Sequence, residues 1–419
     1  KVIFTIGPST LEVDVLRGML RAGVDICRIN MAHASHEWTC KAVDAIRAAS
    51  LEEGKEVSIL MDIKGPEIRT GFLNKHIQLD EGQYIDLTQS DEASPDGDIP
   101  AVDINYPSLI DEVEIGDVLL VDSGLMRFEV AEVRIDRLRC RVVIPGRMGS
   151  RRHINIPGKK INLPAMTEKD IADTKVGISA NVDFFALSFV REAGDINQLK
   201  QFLLDNQSSA KVVAKIEDQS GIENLQEILD VSDALMVARG DLGIEVPYEE
   251  LPIIQMQAVN DALVSGKPVI MATHLLESMI ESPMPTRAEI TDVSNSVFER
   301  VDCVMLSGET SVGKYPVECV NVLNKITQNV ERYAGRGGFN EFLPLVTTRE
   351  KLMKSAVVLA RELGGVGIVV FSSTGLHVQT LSALRPHGCP IFVFTESIFS
   401  MEGDYPDLKK LVQLKKKYP

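Results

Sequence analysis

The chain has 419 residues, with 60 acidic side chains against 44 basic ones and a formal net charge of −16. That length accommodates two or three domains and at least one large core, and 44% apolar with 25% charged residues is a globular composition, not a disordered one. The acidic balance argues against nucleic acid as a partner, which needs a basic footprint, and no apolar run is long enough to span a bilayer.

Short apolar runs alternate with helical patterns along most of the chain. The runs at 2–6, 26–30, 59–63, 184–188, 211–215, 234–238, 268–273 and 303–307 read as strands buried on both faces. Helical spacing fills 13–21 and 253–263, and Thr167 followed by Glu168 and Asp170 opens a further helix. Eight strands in β-then-α order predict an α/β fold, a parallel (β/α)8 TIM barrel, with an open doubly wound sheet as the alternative. Between residues 64 and 163 the pattern changes to short strand-like pieces at 83–87, 115–121 and 139–144. This stretch is too long for one crossover and predicts an inserted β domain. A helix at 347–363 and strands at 366–371 and 391–394 predict a small C-terminal α/β unit. The expected division is 1–70 with 163–335 for the barrel, 71–162 for the insert and 336–419 for the third unit. Six cysteines (Cys27, Cys40, Cys140, Cys303, Cys319 and Cys389) show no paired or zinc-type spacing, so reduced thiols in an intracellular compartment are expected.

A barrel gathers its site at the C-terminal ends of its strands. Polar residues stand there repeatedly: Arg28 and Asn30, Asp62 and Lys64, Ser188, Lys215 and Glu217, Arg239 and Asp241, Thr273, Ser307 and Glu309. So many converging polar ends point to a site, because unpaired charge is poorly tolerated inside a protein. Glu217 and Asp241 are hard oxygen ligands of the kind that suits Mg²⁺; capping of helices is the plainer reading. Arg28, Arg69 and Lys215 offer positive charge to phosphate or carboxylate, or else form salt bridges to the same acids. Gly240 admits close approach of an anion to backbone N–H groups, or simply makes a tight turn. There is no Walker-type loop.

Three segments, Arg28-Ile29-Asn30-Met31-Ala32-His33, Lys64-Gly65-Pro66-Glu67-Ile68-Arg69-Thr70-Gly71 and Met236-Val237-Ala238-Arg239-Gly240-Asp241-Leu242-Gly243, resemble the pyruvate kinase family, as do residues 271–279, 285–289 and 305–310. The resemblance runs almost continuously from Lys1 to about Thr395. It implies a (β/α)8 barrel, a β-barrel lid inserted after the third strand and a C-terminal α/β regulatory domain. It implies phosphoryl transfer from phosphoenolpyruvate to ADP at the end of glycolysis, with Mg²⁺ and K⁺, in a cytoplasmic homotetramer. By motif match, Lys215, Arg28, Thr273, Ser307 and Glu309 are catalytic. Ser188, Phe189, Gly240, Asp241 and Thr273 bind substrate, while Asn30, His33, Arg69 and Arg152 bind the nucleotide. Glu217 and Asp241 hold Mg²⁺. Asn30, Asp62 and the carbonyl of Ile63 hold K⁺, weakened because Ala32 stands where the family has a serine. The loop Ser372, Ser373, Thr374 and Gly375 matches a sugar-phosphate effector site. The family's C-terminal domain continues beyond the position of Ser397, and residues 401–419 do not match it, so an abbreviated or incomplete domain is expected. A Mg²⁺-dependent barrel lyase or aldolase acting on a pyruvate enolate could share the metal acids and Lys215, but has no need of the lid or the nucleotide-side residues. A non-catalytic regulatory homologue would be expected to have lost Lys215 or a metal acid.

Overall fold

The computed structural model describes residues 1–90, 96–159, 161–333, 343–364, 366–372, 375–386 and 389–394. The strands Val2–Thr5, Ile26–Asn30, Ser58–Ile63, Phe184–Leu187, Lys211–Ile216, Ala234–Ala238, Val269–Ala272 and Cys303–Leu306 close into a parallel barrel. Closure comes from the pairing of the first strand with the last, Ile3 beside Met305, which removes the open-sheet alternative. Helices including Val13–Ala22, His36–Glu53, Glu168–Ser179 and Leu251–Val264 surround it. Their apolar faces meet the outward side chains of the strands in one large core that includes Phe4, Ile29, Met61, Phe185 and Val237.

Side-chain parity explains where the polar residues go. Ile3, Ile26, Leu60, Ala186, Val213, Met236 and Met305 form or pack against a separate cluster inside the barrel. Two residues further along each strand lies the next inward position, because side chains alternate with period two. Those positions are Thr5, Arg28, Asp62, Ser188, Lys215, Ala238 and Ser307. Apolar layers thus fill the barrel, and its C-terminal mouth is largely polar.

The insert is a seven-stranded sheet in the order Ile68–Arg69, His153–Asn155, Val118–Val121, Met126–Val133, Arg137–Ile144, Tyr84–Thr88, Ala101–Asp103. Its two edges meet at the bridge of Thr70 with Ile104, supported by the Gly71 N–H on the Asp103 carbonyl at 2.7 Å, so the sheet curls round on itself. Leu87, Leu119, Phe128, Leu138 and Val142 fill its core. Because Ile68–Arg69 already belongs to this sheet, the chain leaves the barrel near Pro66, inside the residues that the sequence assigns to it. The strand expected at 115–121 starts only at Val118, since residues 115–117 make a turn closed by the Asp117 N–H on the Glu114 carbonyl. The third unit pairs Ile368–Phe371 in parallel with Ile391–Phe394, with the helices Thr348–Leu363 and Leu376–Ala383 packed beside them. Among the described residues no helix is long and apolar enough to cross a membrane, and the six cysteines are free.

Candidate active site

The barrel mouth holds an interlocked set of buried charges. Asp62, 1% exposed, takes the Arg28 Nε–H at 2.7 Å and the Lys215 ammonium at 3.1 Å. Lys215 also reaches Glu217 at 2.9 Å and donates to Ser188 Oγ at 2.7 Å. Burial works against the charge on Lys215, but Asp62 and Glu217 overcome it and hold its pKa above the ordinary lysine value. Burial likewise opposes ionisation of Asp62, yet Lys215 and Arg28 bring it below the usual range. Lys215 thus makes a salt bridge to Glu217 as the plainer reading expects, while Arg28 pairs with Asp62 instead, and these pairs aim both cations. Thr5, at the end of the first strand, accepts from Arg28 Nη1 at 3.0 Å. The sequence reading passed it over, although its place at a strand end was signal enough.

Glu217 is 1% exposed and accepts the Phe189 N–H at 2.7 Å. It caps no helix; that role falls to its neighbour Asp218, which accepts from the Gly221 N–H at 2.8 Å. Burial raises the Glu217 carboxyl above its ordinary value, Lys215 pulls it down, and the charges of Asp241 and Asp62 push it up again. Asp62 and Glu217 thus take up Arg28 and Lys215, and Asp241 adds a third negative charge close enough to act on Glu217. That excess of carboxylate fits a divalent cation between Glu217 and Asp241. Among the described residues no cluster of three or more His, Cys, Asp or Glu could hold a metal, so substrate and water would supply the remaining ligands.

The chain around these groups is bent into uncommon conformations. Phe189, Thr273 and His274 have φ of 53°, 69° and 55°, which costs on the order of 1–3 kcal/mol at non-glycine residues. Gly65, at φ +71°, packs so tightly that a Cβ would lie 3.0 Å from Ser188, and its N–H is held by Asp170 at 3.1 Å. Gly240 donates its N–H to Thr273 Oγ1 at 2.9 Å, so the two expected carboxylate contacts face each other. Thr273 is held from behind by Arg239, which donates to its carbonyl at 2.6 Å and pairs with Asp292 at 2.7 Å. Ser307 Oγ is buried without a partner. Glu309 is occupied, accepting from the Ser307 N–H at 2.7 Å and the Leu276 N–H at 3.1 Å.

Of the residues expected to bind the nucleotide, Asn30 lies beside Asp62 on the neighbouring barrel strand, whereas Arg69 and Arg152 belong to the lid. Arg69 and Arg152 lie on neighbouring strand segments of the lid, where the Thr70 N–H meets the Arg152 carbonyl at 2.8 Å. Arg69 donates to Glu67 at 2.7 Å, and Lys64 pairs with the same acid at 2.8 Å. Burial alone would raise the Glu67 carboxyl, but Arg69 and Lys64 bring it down to about 2. Arg152 pairs with Asp122 at 3.1 Å and leaves its Nε without a partner. A Cβ on Gly149 would sit 2.6 Å from Arg152 Nη2, so glycine makes room for that guanidinium. His33 is exposed at the end of the loop after the second strand. Asn30 Oδ1 accepts the Ala32 N–H at 3.1 Å, and the Ile63 carbonyl accepts from Ser188 Oγ at 2.7 Å. Asn30, Asp62 and the Ile63 carbonyl keep lone pairs that fit a weakly held monovalent cation; Ala32 offers no side-chain oxygen. In the third unit Gly375 donates to Ser372 Oγ at 3.0 Å, while Ser373 and Thr374 lie outside the described residues.

Comparison with known proteins agrees with this architecture. The family model "Pyruvate kinase, barrel domain" matches residues 1–320. A pyruvate kinase of Dictyostelium discoideum is 37% identical over 96% of this chain and 81% of its own length. Plastidial pyruvate kinase 2 of Arabidopsis thaliana is 39% identical over 94% of this chain and 68% of its own length. The crystal structure of a pyruvate kinase from Cryptosporidium parvum, 36% identical, superposes with a TM-score of 0.87 over 94% of this chain and 82% of that one. The closed barrel, its curled insert and these matches place the chain in the pyruvate kinase family.

Proposed function

We propose that this chain transfers the phosphoryl group of phosphoenolpyruvate to ADP, giving pyruvate and ATP as the last step of glycolysis. The observation that carries the reading is Lys215, an ammonium fixed by Asp62, Glu217 and Ser188 at the polar mouth of the barrel. A β-phosphate oxygen of ADP attacks phosphorus while the bond from phosphorus to the enol oxygen breaks. Lys215 and Arg28 neutralise charge on the transferring group and the departing oxygen, which is most of what a protein contributes to phosphoryl transfer. The Asp241 N–H, Thr273 and the Gly240 N–H, once released from Thr273 Oγ1, receive the substrate carboxylate, and Ser188 and Phe189 wall the pocket. The enolate then takes a proton at its methylene carbon. Ser307, whose hydroxyl is free, and Thr273 order the water that supplies it. Glu309 positions Ser307 through its backbone.

Glu217 and Asp241 would hold Mg²⁺, whose charge offsets that of the phosphoryl oxygens. Asn30, Asp62 and the Ile63 carbonyl would hold K⁺. Arg69, Arg152, His33 and Asn30 form the nucleotide side. The barrel, which the chain leaves near Pro66 and rejoins for 163–335, would make the catalytic unit, the insert up to 162 the lid and 336–419 the regulatory unit. Within the last, Ser372, Ser373, Thr374 and Gly375 would receive a phosphorylated effector in a cytoplasmic homotetramer. A coupled assay of pyruvate formation tests the reaction. Activity is expected only with phosphoenolpyruvate, ADP and Mg²⁺ together; pyruvate release without ADP would favour a lyase, and none at all a regulatory homologue.

A further inference from the structure

The lid strand His153–Asn155 follows directly on Arg152. Its middle residue, Ile154, is buried in the lid core. The residues on either side, sharing the opposite face by the period of a strand, turn to the barrel. The His153 ring meets the Phe189 ring edge-on, with centroids 5.9 Å apart. Asn155, 4% exposed, donates Nδ2–H to Glu245 at 2.6 Å. Phe189 is the residue whose N–H Glu217 holds. Glu245 ends the short helix Arg239–Glu245 that begins beside Gly240 and Asp241. One lid strand therefore touches both barrel segments that flank the substrate side, while the residue just before it is on the nucleotide side. These contacts border a cleft of about 360 Å³ between lid and barrel, lined also by Glu67, Asp218 and Arg191. Arg191 is committed to the carbonyls of Ile161 and Leu163, at 3.0 and 2.6 Å. The Asn155 pair is thus the polar side-chain link between this strand and the barrel among the described residues.

Resting on the phosphotransfer reading above, we propose that His153, Asn155 and Glu245 are positioning residues: through them the barrel sets the place of Arg152, the residue that leads into this strand. Glu245 belongs to the barrel and is the last residue of the substrate-side helix, yet its loss acts on the nucleotide. In steady-state assays of the full chain, Glu245→Ala and Asn155→Ala are each expected to raise KM for ADP by about tenfold, the upper end of the scale for one hydrogen bond. KM for phosphoenolpyruvate should move less than about twofold by the same reasoning, because these groups carry no contact to it. The double variant should be no worse than either single one, since both remove the same contact. Glu245→Gln, which keeps the acceptor, and His153→Phe, which keeps the ring contact, should restore the parent's KM for ADP; His153→Ala should not.

An unchanged KM for ADP in Glu245→Ala, multiplying effects in the double variant, or equal losses for both substrates would overturn the proposal. Should Asn155→Ala fail to fold, the barrel-side pair Glu245→Ala and Glu245→Gln decides alone. A parent that makes no ATP would count against the phosphotransfer reading itself, an outcome distinct from all of these.

Discussion

The barrel mouth and the lid carry charges of the same kinds in opposite circumstances. Arg28, Asp62, Lys215 and Glu217 are buried and hold one another. Arg69 and Arg152 are half-exposed and rest on single acids, Glu67 and Asp122. The barrel groups have met the desolvation cost of burial in advance, so their field acts at full strength on whatever enters. The lid groups stay partly exposed, which suits the capture of a ligand from solvent. Chemistry is therefore assigned to the first set and capture of the nucleotide to the second, and substitutions should separate the two.

The largest effect is expected at Lys215→Met. Turnover should fall by about 10²–10³ or more, the usual loss for one electrostatic donor. Calorimetry should still detect phosphoenolpyruvate; near-parent turnover would remove Lys215 from the chemistry. Glu217→Gln and Asp241→Asn come next, each raising the Mg²⁺ concentration for half-activity by at least about tenfold, since a charged hard ligand becomes neutral. Overlapping metal curves for both variants and the parent would exclude the ligand assignment. Arg152→Ala, on the lid, should raise KM for ADP by about tenfold with kcat nearly unchanged, the reverse of the Lys215 pattern. A fall confined to kcat would dissolve the contrast between the two regions.

Two smaller effects sharpen the contrast. Burial raises the Glu245 carboxyl to about 7, with Asn155 opposing and Asp218 and Asp241 adding to the shift. A group that binds its proton more tightly when folded supports the fold at low pH. That support fades as pH rises from the ordinary carboxylate range through about 7. Glu245→Gln should therefore gain about 1–2 kcal/mol of stability at pH 8 relative to the parent, and little at pH 4. Denaturant titrations at both values read this directly, and a gain of equal size at both would refute it. Ala32→Ser adds a side-chain oxygen beside Asn30. It should lower the K⁺ concentration for half-activation by about twofold to tenfold, worth ~0.5–1.5 kcal/mol. An identical K⁺ curve, or full parent activity in tetramethylammonium, would contradict the monovalent-cation assignment.

The parts legible in the sequence follow one physical rule. Strands buried on both faces are near-continuous apolar runs, and a polar residue at such a run's end has nowhere to go but the mouth. Arg28, Asp62, Ser188 and Lys215 could be found that way. The lid linkage could not. His153 and Asn155 sit in a short strand of mixed character, and their partners Phe189 and Glu245 lie 36 and 90 residues away in sequence. Glu245 reads as one more acid at a helix end, and only the fold brings it against Asn155. Glu309 shows the converse: its place at a strand end suggested chemistry, but its carboxylate is spent on the N–H groups of Leu276 and Ser307.

The central claim is that one phosphoryl group passes directly between two substrates held on either side of this divide. Phosphorus NMR of the full chain with phosphoenolpyruvate, ADP, Mg²⁺ and K⁺ follows both species at once. The phosphoenolpyruvate resonance should disappear as the γ-phosphate of ATP appears, one for one, with no growth of inorganic phosphate. Loss of phosphoenolpyruvate into inorganic phosphate, or its persistence beside unchanged ADP, would contradict the account.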